Sequence, residues 1–213
     1  PFVAKTNAVM AEHFFSLGKS IIDLIQELKN HSSLVLSPIR SGIRFSDKEL
    51  KINRSSITAI LSKNLSDNVP VILSGEGGVG KTAVIKDLYS FLNGKLPLFV
   101  FKAIQFNNMT DVDNLVKSYG DFKVSDLAGA YPDVTEKCIV IDSAEKLSDI
   151  EDKEVFNIFV TTFLQHKWKI IFTTRHSYLD DLRNMLVSLY GIAFHTQNIE
   201  KISYTELVSL SQA

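Results

Sequence analysis

Residues Gly75-Glu76-Gly77-Gly78-Val79-Gly80-Lys81-Thr82 decide the fold of this chain. They fit the pattern G-x-x-x-x-G-K-[ST], a glycine loop whose backbone N–H groups point inward at phosphate oxygens. In such a loop Lys81 reaches the terminal phosphates and the Thr82 hydroxyl ligates Mg²⁺. Ala83 belongs to the predicted phosphate contacts too, because the N-terminus of the following helix attracts anions. The stretch predicts binding of a nucleoside triphosphate.

The sequence on either side of this loop supports the same prediction. Residues 69–74 form a short apolar, β-branched run typical of a buried parallel strand. Residues 83–92 carry apolar side chains at helical spacing, and Asn93-Gly94 ends that pattern. Strand, glycine loop and helix stand in the required order, which argues against a glycine-rich turn without a ligand.

Composition narrows the class of protein. The chain has 213 residues, of which 45% are apolar, enough for one α/β domain. A net charge of −1 gives no electrostatic footprint for nucleic acid or for an anionic membrane. The single cysteine, Cys138, cannot form an internal disulfide, which fits a reducing compartment. No signal peptide or apolar run of membrane-spanning length is present, so we predict a cytoplasmic protein.

The N-terminal part predicts a long helix. The chain begins at Pro1 rather than at a methionine, so we expect a piece of a longer protein. Residues 7–30 carry a heptad seam, which consists of Met10, Phe14, Leu17, Ile21, Leu24 and Leu28. The helix either meets a partner or packs on its own domain, and the wider apolar face favours the second. We assign residues 1–50 to this helix and a linker, and residues 51–213 to the core.

Strands and helices alternate through the rest of the chain. Strands are predicted over residues 69–74, 97–103, 137–142, 169–174 and 193–199. Helices are predicted over residues 54–65, 83–92, 111–119, 124–130, 148–166 and 178–190, and from residue 203 onward. The helices from Ser148 and Ser203 are assigned from capping-box patterns. This alternation predicts a three-layer α/β fold with a five-stranded, mainly parallel sheet, whose ligands bind at the carboxyl ends of the strands, where Ser74, Asp142, Thr173 and Thr174 lie.

Asp142 is the predicted second part of the site. It ends the apolar run of residues 138–141, so its carboxylate is expected at the sheet edge facing the glycine loop, where it holds Mg²⁺ (the Walker B role). A strand-ending or helix-capping aspartate is the alternative, and the nearby loop decides against it. The interval from Thr82 to Asp142 holds an extra strand, residues 97–103. We therefore expect an added strand between the Asp142 strand and the loop strand, as in AAA-like, additional-strand P-loop ATPases.

Glu145 and Arg175 complete the predicted catalytic set. Hydrolysis needs a group that orients or deprotonates water, and Glu145 is the best candidate because Ser143, not a glutamate, follows Asp142. A solvated loop acid is the equally weighted alternative for Glu145. Arg175 closes the strand of residues 169–174, where a cation can distinguish ATP from ADP. The alternative is a surface arginine paired with Asp180 or Asp181.

Together these motifs resemble the STAND class of signal-transduction ATPases, which includes NACHT and NB-ARC modules. The resemblance covers roughly residues 52–210. Beside the glycine loop it rests on Ile-Asp-Ser-Ala-Glu (141–145), on Ile-Phe-Thr-Thr-Arg (171–175), which is similar to the family's sensor-one motif, and on residues 199–210, which are similar to the exit into the helical lid. Arg54 resembles the residue that lies beside the adenine. The family's Gly-x-Pro motif and nucleotide-contacting histidine have no counterpart in this sequence.

The resemblance implies a molecular switch that uses ATP, ADP and Mg²⁺. In this class ADP holds the closed form, while ATP opens it and allows homo-oligomerisation, with slow hydrolysis between the two. Effector and sensor domains are then expected outside this chain. A long-lived bound state suits a switch better than rapid turnover.

Three other functions compete with the switch. An AAA-type ATPase of a DNA-handling or remodelling system would carry a glutamate beside Asp142, would lack Arg175 and would need an arginine finger. A nucleotide-binding scaffold without activity is opposed by Lys81, Thr82 and Asp142 but left open by Ser143. A small-molecule kinase is the weakest alternative, because no acceptor pocket or lid arginines can be placed.

Overall fold

The computed structural model describes residues 21–45, 48–66, 70–150, 152–191 and 193–212. Two short strands, β1 (Gly42–Phe45) and β2 (Lys48–Lys51), pair antiparallel. Five more strands form one sheet in the order β4-β5-β6-β3-β7, and all neighbours in it run parallel. They are β3 (Val71–Gly75), β4 (Leu98–Lys102), β5 (Cys138–Asp142), β6 (Lys169–Arg175) and β7 (His195–Ile199).

Helices cover both faces of this sheet. Helix α1 spans residues 21–36 of the described chain. The others are α2 (Ser55–Ser66), α3 (Lys81–Leu92), α4 (Asn114–Lys117), α5 (Val124–Gly129), α6 (Glu154–Gln165), α7 (Leu179–Tyr190) and α8 (Tyr204–Gln212). Three short 3₁₀ helices lie at Ala103–Phe106, Ala144–Asp149 and His176–Tyr178. Among the residues just listed, no helix combines the length and apolar character needed to cross a bilayer.

The central strands β3, β5 and β6 and most of β4 are buried, and their central residues are apolar because side chains on both faces of the sheet meet a helix layer. Edge strand β7 is mainly polar and buries only Ile199. One face packs under α1, α5, α6 and α7 through Ile72, Phe99, Phe101, Ile139, Ile141, Ile170 and Phe172. The other packs under α2 and α3 through Val71, Leu73, Leu98, Val100, Cys138, Val140 and Ile171. The predicted three-layer fold with a five-stranded parallel sheet is therefore confirmed.

The added strand is β6. It lies between β5, which ends in Asp142, and β3, which leads into the glycine loop. The strand of residues 98–102, which the spacing from Thr82 to Asp142 revealed, lies instead at the edge of the sheet. This placement makes the segment that ends in Arg175 the direct neighbour of both halves of the predicted site.

Helix α1 covers the edge of the sheet at β4. The Val100 N–H donates to the Ser32 Oγ at 2.9 Å, and the Ser32 hydroxyl donates to the Leu28 carbonyl at 2.8 Å. Leu24 and Leu28 are buried in the core, so the described part of this helix packs on its own domain, as the wider apolar face favours. The heptad positions before residue 21 lie outside the described residues.

One predicted helix start is wrong. Helix α6 begins at Glu154, not at Ser148, because residues Ala144–Asp149 form a 3₁₀ helix that buries Ala144 and Leu147. The Ser148 hydroxyl donates to the Glu145 carbonyl at 2.7 Å instead of capping a following turn. The Asp152 carboxylate accepts from the Glu154 N–H at 2.8 Å. The helix predicted over residues 111–119 is also shorter, a single turn at Asn114–Lys117.

The buried Cys138 thiol offers a check on this packing. It lies in β5 with no exposed surface, and burial raises its pKa above the ordinary value. Since the thiolate is the reactive form, we expect a thiol-specific chromogenic reagent to label Cys138 only after unfolding. Labelling followed by absorbance in buffer and in denaturant measures this. Rapid and complete labelling of the native chain would contradict the position of β5 in the sheet.

Candidate functional site

The glycine loop connects β3 to α3 with the shape that an anion requires. Gly78 and Gly80 have φ values of 80° and 96°, which lie in the left-handed region that favours glycine. Gly80 is the N-cap of α3, and no side chain caps this end of the helix. The first N–H groups of α3 therefore remain available to an anion.

Backbone carbonyls at the start of the glycine loop hold the Lys81 side chain. Its Nζ donates to the carbonyls of Gly75 at 2.9 Å and Glu76 at 2.8 Å. The pKa of Lys81 is lowered, and burial is the main cause. The nearby Arg175 also lowers this pKa, whereas Glu145 and Asp142 raise it. The Lys81 ammonium is therefore close enough to Glu145, Asp142 and Arg175 to interact with their charges. Phosphate oxygens that entered the site would compete with the two neutral carbonyls for this ammonium.

Asp142 meets α3 because side chains alternate along β5. It shares a face with Cys138 and Val140, the face that α3 covers. Its Oδ1 accepts from the Thr82 Oγ1 at 3.1 Å and from the Thr173 Oγ1 at 2.7 Å. Asp142 is buried, with 4% of the residue exposed, so these two hydroxyls fix the position of its carboxylate.

The sequence placed Thr173 at the carboxyl end of a strand but predicted no role for it in the site. Its Oγ1 also accepts from the Ser143 N–H at 2.8 Å, so it ties β6 to the chain just after Asp142. The strand alternation that places Thr173 on the α3 face places Ser74 and Thr174 on the opposite face, beside Ile72 and Phe172. The hydroxyls of Ser74 and Thr174 are buried without a partner in the described residues, and they do not line the cleft.

Glu145 and Arg175 pair with each other. Ser143, with a φ of 60°, turns the chain after β5 so that the following 3₁₀ helix brings Glu145 back toward the cleft. The Glu145 Oε1 lies 3.2 Å from the Arg175 Nε, while its Oε2 is buried without a partner in the part of the chain that the structure describes. The Glu145 side chain is 11% exposed, which contradicts the solvated-acid alternative. The ion pair of Arg175 is with Glu145, not with Asp180 or Asp181.

Arg54 lies against the glycine loop. Its Nη1 donates to the Ser41 carbonyl at 2.8 Å and lies 3.5 Å from the Asp87 Oδ2. A Cβ built on Gly80 would come within 3.1 Å of its Nη2. Arg54 therefore links α3, the glycine loop and the segment of residues 39–43, which we call the strap.

The strap forms the far wall of a cleft of about 380 Å³. Two further contacts hold it on α3, from the Lys86 Nζ to the Ile39 carbonyl at 2.6 Å and from the Ser41 Oγ to the Asp87 Oδ1 at 3.0 Å. The cleft is lined by Ile39, Arg40, Gly42, Ile43, Ile52, Arg54, residues 77–83, Ser143, Glu145, Thr173 and Arg175. The cleft combines apolar side chains with four cations and one carboxylate, which suits a small anionic ligand that also has an apolar part.

The cleft unites most of the predicted site residues. Gly77, Gly78, Val79, Gly80, Lys81, Thr82 and Ala83 line it, together with Arg54, Glu145 and Arg175. Gly75 and Glu76 contribute carbonyls to Lys81 instead, and the exposed Glu76 side chain pairs with Lys201. Sequence analysis missed the strap, because residues 39–43 show no periodicity or motif and reach the cleft only through long-range contacts.

The oxygen atoms around Asp142 fit a hard divalent cation. A threonine hydroxyl and a carboxylate, 3.1 Å apart, are the donor types that Mg²⁺ takes from proteins. Within the described residues no group of three or more His, Cys, Asp or Glu side chains could hold a metal by itself. Such a sparse donor set matches a cation that is shared with ligand phosphates.

Sequence comparison with models of protein families gives no match, and comparison with curated proteins gives none either. Solved structures are similar in fold. A closed-state cryo-EM reconstruction of Hsp104 with ATPγS and FITC casein matches with a TM-score of 0.50 and 16% identity, over 76% of this chain and 29% of that one. Cdc6p from Pyrobaculum aerophilum matches with a TM-score of 0.53 and 11% identity, over 84% of this chain and 52% of that one. The chain spans about half or less of these structures.

At such low identity these matches show the fold alone. Their likeness supports the P-loop fold that the sheet order indicates.

Proposed function

We propose that this chain is an ATP-binding switch domain that hydrolyses ATP slowly in the presence of Mg²⁺. The observation that carries the proposal is the hydrogen bond between Thr82 and Asp142, 3.1 Å long, beside the glycine loop. It joins two residues from separate motifs at one point, next to the cation of Lys81 and the uncapped start of α3. An aspartate with a purely structural role would not need a threonine hydroxyl, a lysine and a free helix N-terminus beside it.

The predicted site residues in and beside the cleft have separate roles in this proposal. Loop N–H groups and Lys81 bind the phosphates, while Thr82 and Asp142 hold Mg²⁺. The bound cation would neutralise charge on the phosphates. Glu145 orients the attacking water, and Arg175 senses the terminal phosphate. Ile39 and Ile43 of the strap, with Ile52, provide apolar contacts for the base. Arg54 holds the strap near the glycine loop.

Slow turnover follows from the surroundings of Asp142. The next residue is Ser143, so no carboxylate stands directly after the Walker B position. The nearest candidate base, Glu145, has one oxygen paired with Arg175. Such a site favours a long-lived bound state, which suits a STAND-like switch that changes conformation and oligomerises with ATP.

We also propose a boundary near residue 50 between an N-terminal region and the core. The strap lies before that boundary, yet it lines the cleft with residues from after it. We therefore propose that residues 1–50 lead into the core of residues 51–213 and contribute to its nucleotide site.

Calorimetric titration with ATP and with ADP, each with Mg²⁺, tests the proposal. We expect both nucleotides to bind and Asp142→Asn to remove the Mg²⁺ dependence of ATP binding, because the carboxylate charge is lost. Asp149→Asn is the matched control, since Asp149 is exposed and pairs with Lys146. A chain that binds neither nucleotide would contradict the proposal, as would an Asp142→Asn variant with unchanged Mg²⁺ dependence.

An AAA-type ATPase of a DNA-handling or remodelling system is the second candidate. The likeness in fold to Hsp104 and Cdc6p favours it. Light scattering with ATP and ATPase assays with added duplex DNA separate the two functions. ATP-dependent assembly without DNA stimulation supports the switch, whereas stimulation by DNA supports the second candidate.

A further inference from the structure

We propose that Glu145 determines the preference of this site for ATP over ADP by acting as the resting partner of Arg175. The inference rests on the proposed function and adds a role that a catalytic base does not need. A terminal phosphate must take Arg175 from Glu145, whereas a diphosphate leaves the pair intact. Glu145 then opposes triphosphate binding and becomes free for catalysis only after a terminal phosphate has engaged Arg175.

The positions of the two side chains support this exchange. The Arg175 Nε lies 3.2 Å from the Glu145 Oε1, and both residues line the cleft with Lys81 and Thr173. Arg175 follows Thr174 at the carboxyl end of β6, the strand next to the one that leads into the loop. Its side chain is 56% exposed while that of Glu145 is 11% exposed, so the arginine is the member of the pair that is free to move.

Arg175 is the ion-pair partner of Glu145 because the other cations nearby are bound to other groups. Lys81 is close enough to influence the electrostatics, but its ammonium donates to the carbonyls of Gly75 and Glu76. Lys146, one residue further along the chain, pairs with Asp149 at 3.1 Å. Among the described residues Glu145 therefore has one ion pair, and its second oxygen is buried without a hydrogen bond. A buried carboxylate that loses its only ion pair becomes less stable, which gives the exchange a cost.

The chemistry of the guanidinium favours the exchange only with a triphosphate. Arginine binds a phosphate through two parallel hydrogen bonds, and that arrangement is stronger than a single contact to a carboxylate. Lys81 and the loop fix where the phosphates lie, so a terminal phosphate is placed toward the carboxyl ends of β5 and β6. Separating Glu145 from Arg175 therefore weakens the binding of ATP but not that of ADP.

A double-mutant cycle tests the inference at equilibrium. The dissociation constants of AMP-PNP and ADP, each with Mg²⁺, are measured by calorimetry for the unaltered chain, Glu145→Gln, Arg175→Ala and the double variant. We expect Glu145→Gln to bind AMP-PNP about 5-fold more tightly, with ADP affinity changed less than about 2-fold. In the Arg175→Ala background the gain from Glu145→Gln should disappear. Asp149→Asn, on the same 3₁₀ helix, should change neither affinity.

Each other outcome has a distinct meaning. A gain for AMP-PNP that persists without Arg175 would reflect simple removal of negative charge and would overturn the inference. An equal gain for ADP, or no gain at all, would overturn it too. If the unaltered chain binds neither nucleotide, the proposed function fails and this inference fails with it, whereas normal binding without coupling removes only the inference. Circular dichroism of each variant checks that the fold is kept.

Discussion

Replacing Lys81 by alanine is expected to raise the dissociation constant for ATP by about 30-fold to 4000-fold without unfolding the chain. Removing one partner of a close, desolvated charge pair costs about 2–5 kcal/mol, and each 1.4 kcal/mol is a factor of ten. Lys81 is half-buried in the cleft, where phosphates would meet it with few competing water molecules. Its present partners are two loop carbonyls, and alanine suits the first turn of a helix.

Calorimetry with ATP and Mg²⁺ measures this loss, and thermal unfolding checks that stability is kept. The matched control is Lys95→Ala, which removes the same charge just after the far end of α3. The Lys95 Nζ lies 3.9 Å from the centre of the Phe91 ring. An affinity that falls equally in both variants would indicate a general charge effect, and an unchanged affinity in Lys81→Ala would refute the phosphate site.

Replacing Gly75 by alanine is expected to destabilise the fold and to abolish nucleotide binding together. A Cβ on Gly75 would lie 2.6 Å from the Ile199 carbonyl oxygen and 2.9 Å from the Val79 Cγ2. The Ile199 oxygen belongs to the backbone of β7, which pairs with β3 at this point, so it cannot move aside without displacing the strand. Overpacking of this kind costs about 1–3 kcal/mol, which for a chain of this size lowers the Tm by about 2–12 °C.

Gly77→Ala is the matched control for stability. A Cβ on Gly77 meets no atom within 4 Å, so the change in unfolding free energy should stay within about 0.5 kcal/mol. Chemical denaturation of both variants measures the difference. Equal stability of Gly75→Ala and the unaltered chain would contradict the close approach of β7 to the loop.

Much of the fold could be predicted because local patterns and the final structure agree. The apolar runs of β3, β5 and β6 lie within one or two residues of their predicted bounds. Buried parallel strands are apolar on both faces, so they stand out in any sequence. The start of α6 could not be predicted, because Leu147 packs into the core and draws the preceding residues into a 3₁₀ helix.

The site could be predicted in its parts but not in its connections. The positions of Lys81, Thr82 and Asp142 at strand and helix ends follow from their motifs, since the glycine loop is specific and it gives the strand-ending Asp142 its predicted role. Which residues touch them depends on strand order. Because β6 lies between β5 and β3, Thr173 reaches Asp142 and Arg175 reaches Glu145.

The sequence by itself was enough to predict the glycine loop, the parallel sheet and the edge at which we expect ligands to bind, because the loop motif and the alternation of strands and helices are local patterns. Tertiary structure alone decided the pairing of Glu145 with Arg175 and the placement of the strap across the cleft. Those contacts join residues that are distant in the chain. They form only when the helix layers and the order of the strands bring them together, and no local pattern encodes that order.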